Sequence, residues 1–461
     1  MLKREIGTTG ALFMGLGSMI GTGVFVSIGL CAEKTGVLLL FAVPLAGLVA
    51  LCNALSSAQL AARFPVSGGT YEYANRLLNG PIGFAAGWMF ICAKSASAAT
   101  AALGLAGYLL NALQWEGPDS KHVILAVSVL IVPLSLVLFG IRQSNQINSV
   151  VVSITLCALS LLIMAGVTAV LILPDFSTLW NAVLSQKFEL DSAGNTPHDF
   201  SSLSFTSVHW SDFLEATALM FVAFTGYGRI ATLGEEVKRP RTTIPRAIAI
   251  TMLISVLVYM GISFTALSTL GTERLYRATM EQAAPLEIVA RQLETAFANQ
   301  HGLWRFLPAG ILTAAILVGA ITAMTGVLLN LLLGLSRVLL AMGRRKDLPV
   351  LLTRVHPEYG APRPAILVTG GIVLLLVLIG SVKLAWTFSA LTVLFYYGIT
   401  NLAALRLQPS ERLYPAWVSI CGLIGCLFLV VFIDGRPWLA GAIIMAIGFG
   451  IRSLSNFYQN R

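Results

Sequence analysis

The sequence predicts an all-helical protein that crosses a lipid bilayer twelve times and forms a single transmembrane domain over residues 1–461. Of these residues, 56% are hydrophobic and only 11% are charged, and the mean hydropathy is +0.82. Soluble domains carry about 25% charged residues, so this composition excludes a chain of soluble domains. A span takes about 17–25 apolar residues. Twelve runs have this character, approximately 10–30, 37–62, 82–112, 122–140, 147–173, 212–234, 243–270, 306–340, 364–381, 384–406, 413–433 and 437–453.

The distribution of lysine and arginine predicts how the chain is threaded. With the N-terminus inside, the inner segments hold nineteen basic residues and the outer segments hold nine, while Lys94 and Arg229 lie within spans. Because basic residues collect in cytoplasmic loops, we expect both termini in the cytoplasm and a multi-pass protein of the inner or plasma membrane. The same bias accounts for the net charge of +9, so no nucleic-acid partner is expected. The apolar run after Lys3 and Arg4 is too long for a signal-peptide core, so no cleaved leader is expected.

The first apolar run contains a glycine-rich stretch that is poorly suited to an unbroken helix. Its glycines are Gly15, Gly17, Gly21 and Gly23, and each costs about 1 kcal/mol relative to alanine in a helix. In hydrocarbon, a break survives only where the freed backbone groups face protein, a cavity or a ligand. A broken membrane helix offers amide donors and carbonyl acceptors at one place, which suits a zwitterion such as an amino acid. Close helix packing, with Gly17 and Gly21 four residues apart, is the alternative interpretation.

The sixth run carries a second interruption, Phe-Val-Ala-Phe-Thr-Gly-Tyr-Gly over 221–228, about 200 residues after the first. Two interrupted spans at matching places in two five-span halves predict an inverted repeat with a binding site on its pseudo-symmetry axis. The first five-helix repeat would cover 10–173 and the second 212–406, with an outer loop over 174–211 between them. Two extra helices over 413–453 lie outside the repeat.

Six sequence patterns follow one another along spans one to ten. They are Gly17–Phe25, Arg63–Tyr73, Phe224–Gly228, Glu235–Pro240 continuing to Ile248, Ser336–Met342, and Val355–Pro357 with Gly360–Pro362. In order and spacing they resemble the amino acid–polyamine–organocation (APC) superfamily of permeases, near the bacterial relatives of the cationic amino acid transporter branch. The resemblance implies a LeuT-like five-plus-five inverted repeat with broken helices one and six, plus two C-terminal helices.

The resemblance also implies a substrate site between broken helices one and six. The substrate carboxylate would meet the backbone amides of Gly21, Thr22 and Gly23, which agrees with the preference of a helix N-terminus for anions. The ammonium group would meet main-chain carbonyls near Met19, Val222 and Thr225. The full set of expected substrate-binding residues is Ser18, Met19, Ile20, Gly21, Thr22, Gly23, Phe221, Val222, Phe224 and Thr225.

Two basic residues within the spans are candidates for coupling or for support of the site. A buried charge such as Lys94 is expensive in a membrane and indicates a functional site by default. Lys94 could carry a proton, stay charged against a carboxylate or carbonyls, or fix span three against the core. Arg229 cannot release its proton, so we expect it to pair with Glu235 or Glu236 near the cytoplasmic end, with direct substrate contact as the second interpretation.

Span five departs from the pattern of some relatives, which carry a lysine there that is proposed to replace a sodium ion near span one. In this chain Thr155, or alternatively Ser153, occupies that position. Together with Thr322 or Thr325 of span eight, a hydroxyl there could help to ligate sodium, or it could be a satisfied polar residue in an exchanger or uniporter. No cofactor is expected, and H⁺ and Na⁺ are the candidate coupling ions.

The predicted function is secondary active transport of L-amino acids by alternating access, with the amino acid and the lipid bilayer as partners. No carboxylate lies securely in the central part of spans one, three, six or eight, so neutral substrates are preferred, then acidic ones. A cationic amino acid permease, an exchanger, and a permease-like sensor without net transport are the alternatives. An enzyme is not expected, because the spans lack a nucleophile–base pair. The cysteine, histidine and acid spacings predict neither a disulfide framework nor a metal site, and protein partners are not predicted.

Overall fold

The computed structural model describes residues 6–65, 68–115, 119–140, 145–173, 209–232, 237–282, 284–298 and 310–459. Most of the outer loop predicted over 174–211 and the pair Glu235–Glu236 lie outside the described residues. Within these ranges the chain consists of helices and turns, apart from an isolated bridge between Ile6 and Val237.

The α-helices are numbered along the chain. They are α1 (Thr8–Met19), α2 (Ile28–Thr35), α3 (Leu39–Arg63), α4 (Thr70–Leu77), α5 (Gly80–Ala112), α6 (Asp119–Leu138), α7 (Asn145–Ile172), α8 (Trp210–Ala223), α9 (Gly228–Thr232), α10 (Pro240–Gln282), α11 (Pro285–Ala298), α12 (Ile311–Arg344), α13 (Arg363–Leu378), α14 (Val382–Leu405), α15 (Ala416–Val431) and α16 (Gly435–Gln459). The side chain of Asn79 accepts a hydrogen bond from the Ile82 amide and caps α5, and Ser381 caps α14 through Leu384 in the same way.

The helices have the length and composition of membrane spans. Among the described residues, eight helical stretches are long and apolar enough to cross a bilayer. The first, from Thr8 to Arg63, counts α1, α2, α3 and the helical turns between them as one stretch. Two shorter apolar helices are α13 and α15. Large apolar side chains such as Leu171, Leu375 and Leu439 face outward, as expected where lipid takes the place of water. The protein is therefore a multi-pass, all-helical membrane protein, and its twelve-span count stays a prediction.

Helix α5 forms the centre of the bundle. Its most apolar window is 94% buried, against 22% for α6 and 17% for α16. It packs mainly against α12 and α14, and most of its buried positions between Ala93 and Ala106 are alanine, glycine or serine. Because small residues let helix backbones approach closely in a membrane, α5 brings its neighbours together around Lys94, which lies at the middle of this helix.

The helical path is interrupted within both glycine-containing stretches. Helix α1 ends at Met19, and Ile20 has extended backbone angles (φ −79°, ψ 95°) before a π-helical turn over Gly23–Ser27 leads into α2. Helix α8 ends at Ala223 and is followed by a 3-10 turn over Thr225–Tyr227 and then α9. We call these two places the first break and the second break.

The bundle has two ends, which are named by the helices that begin and finish there. The terminal end is the one at which α1 begins and α12 and α16 finish, and it carries Arg345 and Arg452. The opposite end is the one at which α2 finishes and α8 begins, and it carries Lys34 and Glu215.

Candidate functional site

A cleft lies where the two breaks meet, near the middle of the bundle. Its smaller part has about 330 Å³ of empty space, and its larger part has about 730 Å³, including space that is open to solvent. Ser18, Lys94 and Thr225 line both parts. The larger part extends past Arg337 to Gly68, so the cleft reaches toward the terminal end.

Six of the ten expected substrate-binding residues line the smaller part, namely Ser18, Met19, Thr22, Gly23, Val222 and Thr225. The other four lie behind this lining. Ile20 is buried in the apolar core, Phe221 packs edge-on against Tyr397, and Phe224 packs against Tyr259 with ring centroids 4.9 Å apart. These side chains support the breaks rather than face the cleft.

Glycine allows the two breaks to touch. A Cβ atom built on Gly226 would collide with the carbonyl of Ser18, and one on Gly23 would lie 2.5 Å from the Cβ of Ala223. A Cβ on Gly21 would lie 2.5 Å from Val327 of α12. The glycines therefore serve close packing as well as the change of backbone direction, so the two interpretations drawn from the sequence describe the same residues.

Hydroxyl groups satisfy the carbonyls that the breaks leave without helical partners. The Tyr259 hydroxyl lies 2.7 Å from the Met19 carbonyl and 3.1 Å from that of Ala223. Tyr397 donates to the Thr225 carbonyl at 3.2 Å, and Thr225 Oγ1 donates to the Val222 carbonyl at 2.7 Å. Each carbonyl oxygen has two lone pairs. The Val222 oxygen also accepts from the Phe224 amide and the Thr225 oxygen from the Gly228 amide. Of the three carbonyls expected to meet an ammonium group, Met19 is therefore the one with an acceptor position left among the described hydrogen bonds.

Thr22 offers a polar group that the protein itself does not use. Its side chain is 4% exposed and lines the smaller part of the cleft. Its Oγ1 atom is buried and has no hydrogen-bond partner among the described residues. Buried polar atoms are nearly always hydrogen-bonded, so an orphaned hydroxyl on a cleft wall indicates a ligand-binding position.

Lys94 lies inside the cleft and not at its edge. Its side chain is 8% exposed, and Nζ donates to Thr225 Oγ1 at 2.9 Å. Ser97, one turn farther along α5, pairs with Ser389 of α14 at 2.9 Å. The nearby walls at Phe90, Leu331 and Trp386 are apolar.

The larger part of the cleft is lined by three basic side chains, Lys94, Arg229 and Arg337. No aspartate or glutamate appears among the described residues that line either part. Arg229 is the second residue of α9 and directly follows the second break, as its place in the sequence suggested. Its predicted partners Glu235 and Glu236 lie outside the described residues, so that pairing stays a prediction.

The threonines considered as sodium ligands, Thr155, Thr322 and Thr325, lie apart from the cleft lining, on α7 and α12. Thr155 Oγ1 lies 3.0 Å from the Val151 carbonyl and 3.5 Å from the Gly319 carbonyl. Thr322 Oγ1 lies 2.7 Å from the Val318 carbonyl and 3.2 Å from the same Gly319 oxygen. The fold thus brings Thr155 and Thr322 to one carbonyl, and Thr325 follows one turn farther along α12. Among the described residues, no group of three or more histidine, cysteine, aspartate or glutamate side chains could hold a metal ion.

Several residues at the site carry no signal in the sequence that motif reasoning could use. Tyr259, Val327, Trp386 and Tyr397 come from α10, α12 and α14, and their positions depend on how these helices pack. Ser97 could have been found, because it lies three residues after Lys94 and therefore on the same face of a helix.

Charged side chains link separate elements at both ends of the bundle. At the terminal end, Arg345 holds both oxygens of Glu72 at 2.8 and 2.7 Å. Asp347 accepts from Arg452 and from the Tyr71 hydroxyl, each at 2.7 Å. Burial, aided by the hydrogen bond to Asp347, raises the pKa of the Tyr71 phenol, so it keeps its proton and donates.

At the opposite end, the ion pairs cross between separate elements. Lys34 of α2 pairs with Glu215 of α8 at 2.9 Å. Lys383 of α14 pairs with Glu33 of α2 at 3.0 Å. Helix α2 is therefore tied on two sides to the helices that surround the cleft.

Comparisons with known proteins identify the family. The model of the family described as amino acid permease matches residues 10–453. An uncharacterized transporter of Mycobacterium tuberculosis is 35% identical over 456 residues, which cover 98% of this chain and 92% of the relative. A branched-chain amino acid permease of Bacillus subtilis is 27% identical over 78% of this chain and 71% of its own length. Cationic amino acid transporter 4 of Mus musculus is 28% identical over 89% of this chain and 61% of its own length.

These matches confirm the resemblance that the glycine-containing patterns indicated. The relatives are named as transporters and permeases, which agrees with the expectation that the protein is not an enzyme. The chain belongs to the amino acid permease family of the APC superfamily.

Proposed function

We propose that the protein is a secondary active transporter that moves L-amino acids across the membrane by alternating access. The observation that carries this proposal is the cleft between the two breaks, with the orphaned Thr22 hydroxyl on its wall. Backbone amides and carbonyls of opposite polarity meet there, and an amino acid carries one group for each. The family match and the names of the relatives support the same class of substrate.

In this proposal the substrate carboxylate binds the amides of Gly21, Thr22 and Gly23 and accepts a hydrogen bond from Thr22 Oγ1. The ammonium group binds beside the carbonyls of Met19, Val222 and Thr225, of which Met19 offers the acceptor position left over by its hydrogen bond from Tyr259. The main chain then recognises the α-amino acid, while the side chains around the larger part of the cleft select which one. Charge-assisted hydrogen bonds of this kind are the stronger ones in proteins.

The proposed architecture is a twelve-span, LeuT-like inverted repeat. Its halves are 10–173 and 212–406, the last two spans lie over 413–453, and the terminal end faces the cytoplasm. The helix bounds support this proposal, because each predicted apolar run overlaps helical residues. Membership of the family supports a location in a cell membrane. The excess of basic residues in the inner segments supports the orientation with the terminal end in the cytoplasm.

The alternatives to this proposal differ in the substrate side chain that is recognised and in the ion that couples transport. Neutral amino acids are the sequence-based preference, and the name of the Bacillus subtilis relative agrees with it. The name of the mouse relative favours cationic substrates, but no acidic residue occurs among the described residues lining the cleft. Either H⁺ or Na⁺ could couple transport, and Thr155 and Thr322 are the first residues to test for sodium.

Replacement of Thr22 by valine tests the binding mode, because the two side chains have nearly the same shape. We expect the affinity for the preferred amino acid to fall about tenfold, since a hydrogen bond to a charged group contributes about 1.5–3 kcal/mol. Thermal-shift titration of the purified protein with each of the twenty amino acids measures the affinity, and uptake into proteoliposomes measures flux. Ser56→Ala, a change in a buried pair between α3 and α15, is the control for lost hydroxyls.

An unchanged affinity in Thr22→Val would show that the substrate carboxylate does not bind the Thr22 hydroxyl. Binding without flux in the wild-type protein would favour a sensor over a transporter. Flux that needs an amino acid on both sides of the membrane would identify an exchanger.

A further inference from the structure

We propose that Lys94 selects the substrate by the charge of its side chain and binds a carboxylate there, so that glutamate or aspartate is preferred over its uncharged amide. This assignment deepens the proposed function and rests on it. It also changes the sequence-based ranking, in which neutral substrates precede acidic ones, because the sequence did not show that Lys94 lines the cleft.

The position of Lys94 fits contact with a bound solute. Nζ projects into a region that both parts of the cleft share, between the second break and α12. Its described hydrogen bond, to Thr225 Oγ1, uses one of the three N–H donors of an ammonium group. The other two donors have no acceptor among the described residues, and Lys94 lines both parts of the cleft.

The surroundings of Lys94 call for an anion that the described residues do not supply. Burial penalises a charge unless it is paired, and a single hydroxyl does not offset that penalty. Two buried glutamates of the described residues are engaged elsewhere, Glu72 by Arg345 and Glu215 by Lys34. A substrate that brings its own second carboxylate would complete the pair when it binds.

The two carboxylates of such a substrate would have separate binding positions. The α-carboxylate would occupy the amides after the first break, beside Thr22. The side-chain carboxylate would point toward the larger part of the cleft, whose lining includes Arg229 and Arg337 as well as Lys94. A cationic side chain in the same place would meet like charges, which disfavour binding.

Glutamate and glutamine test this assignment because they differ in charge but hardly in shape. We expect the purified wild-type protein to bind L-glutamate at least about tenfold more tightly than L-glutamine, the ratio that one charge-assisted hydrogen bond supplies. Lys94→Met should abolish this preference by weakening glutamate, with glutamine within about threefold of its wild-type value. Lys94→Arg should keep the preference. Calorimetric or thermal-shift titration measures each affinity.

Lys238→Met is the matched control, because Lys238 is an exposed lysine at the terminal end and should leave the ratio unchanged. Equal or tighter binding of glutamine by the wild-type protein overturns the assignment, even if the Lys94→Met variant fails to fold. A glutamate preference that survives in folded Lys94→Met overturns it as well. Binding of neutral amino acids without a glutamate preference contradicts only the role of Lys94, whereas no binding of any amino acid contradicts the proposed function too.

Discussion

Ion pairs link helices at both ends of the bundle, and the two ends differ in how many partners each charged residue has. At the terminal end, Asp347 and Glu72 are held by several partners on α4, on α16 and beside the end of α12. At the opposite end, single pairs tie the short helix α2 to α8 and to α14. The cleft extends toward the terminal end, so the pairs of the opposite end close the side that the cleft does not reach. We predict from this comparison that the terminal pairs mainly stabilise the bundle, as a fixed frame, while the opposite pairs control how far α2 can separate from α8 and α14.

Asp347→Asn should have the largest effect on stability. Asp347 is buried and accepts from both Arg452 and Tyr71, and removal of one partner from a buried pair costs about 3–5 kcal/mol. Because Arg452 is partly exposed and asparagine can still accept one hydrogen bond, we expect about 2–3 kcal/mol. Thermal unfolding of the purified protein measures this loss. A melting temperature equal to that of the wild type would contradict the idea of a fixed frame.

Glu215→Gln should change access to the cleft more than it changes stability. The pair with Lys34 is only partly exposed, and surface pairs contribute up to about 1 kcal/mol, which corresponds to a shift of about fivefold in a two-state equilibrium. Cys31 is buried one turn before Lys34 and contacts Ala216. We therefore expect Cys31 to react with a thiol reagent up to about fivefold faster in Glu215→Gln, with the other five cysteines replaced by serine or alanine.

The same labelling experiment on Asp347→Asn sharpens the comparison. If Asp347→Asn lowers only the stability of the terminal end, Cys31 should react at the wild-type rate as long as the protein remains folded. If Asp347→Asn accelerated labelling as much as Glu215→Gln does, the two ends would not differ in the way described.

Lys383→Gln should have the smallest effect. Lys383 is 40% exposed in its pair with Glu33, so solvent screens the interaction and we expect at most about 0.5 kcal/mol. Labelling of Cys31 should rise by no more than about twofold, in the same direction as for Glu215→Gln. Slower labelling than in the wild-type protein would show that the Glu33 pair does not hold α2 closed.

The sequence predicted the places where two helices end, because such breaks depend on neighbouring residues. Glycine destabilises a helix wherever it stands, and α1 and α8 end within the two glycine-containing stretches at Met19 and Ala223. Lys94 was predicted to be functional for an equally local reason, because it is a charged residue within an apolar run.

Contacts between distant parts of the chain could not be predicted in the same way. Sequence reasoning had no means to tell that Tyr259 serves the carbonyl of Met19, 240 residues away, or that Trp386 lines the cleft. Such contacts depend on the rotation and depth of each helix in the bundle, and small residues permit many packings of similar quality. Ile20 and Phe221, which were predicted to bind substrate, lie in the apolar core outside the described cleft lining, and their contact with a substrate stays a prediction.

By itself, the sequence determined the membrane class, the helical secondary structure, the places where two helices break, and the membership of a family. Composition, periodicity and glycine content act over a few residues and need no knowledge of neighbours in space. Only the tertiary structure decided that Lys94 and Thr225, 131 residues apart, share a cleft, and that Thr22 keeps an unused hydroxyl there. The charge and hydrogen bonds of a cleft come from side chains on separate helices, and packing alone brings those helices together.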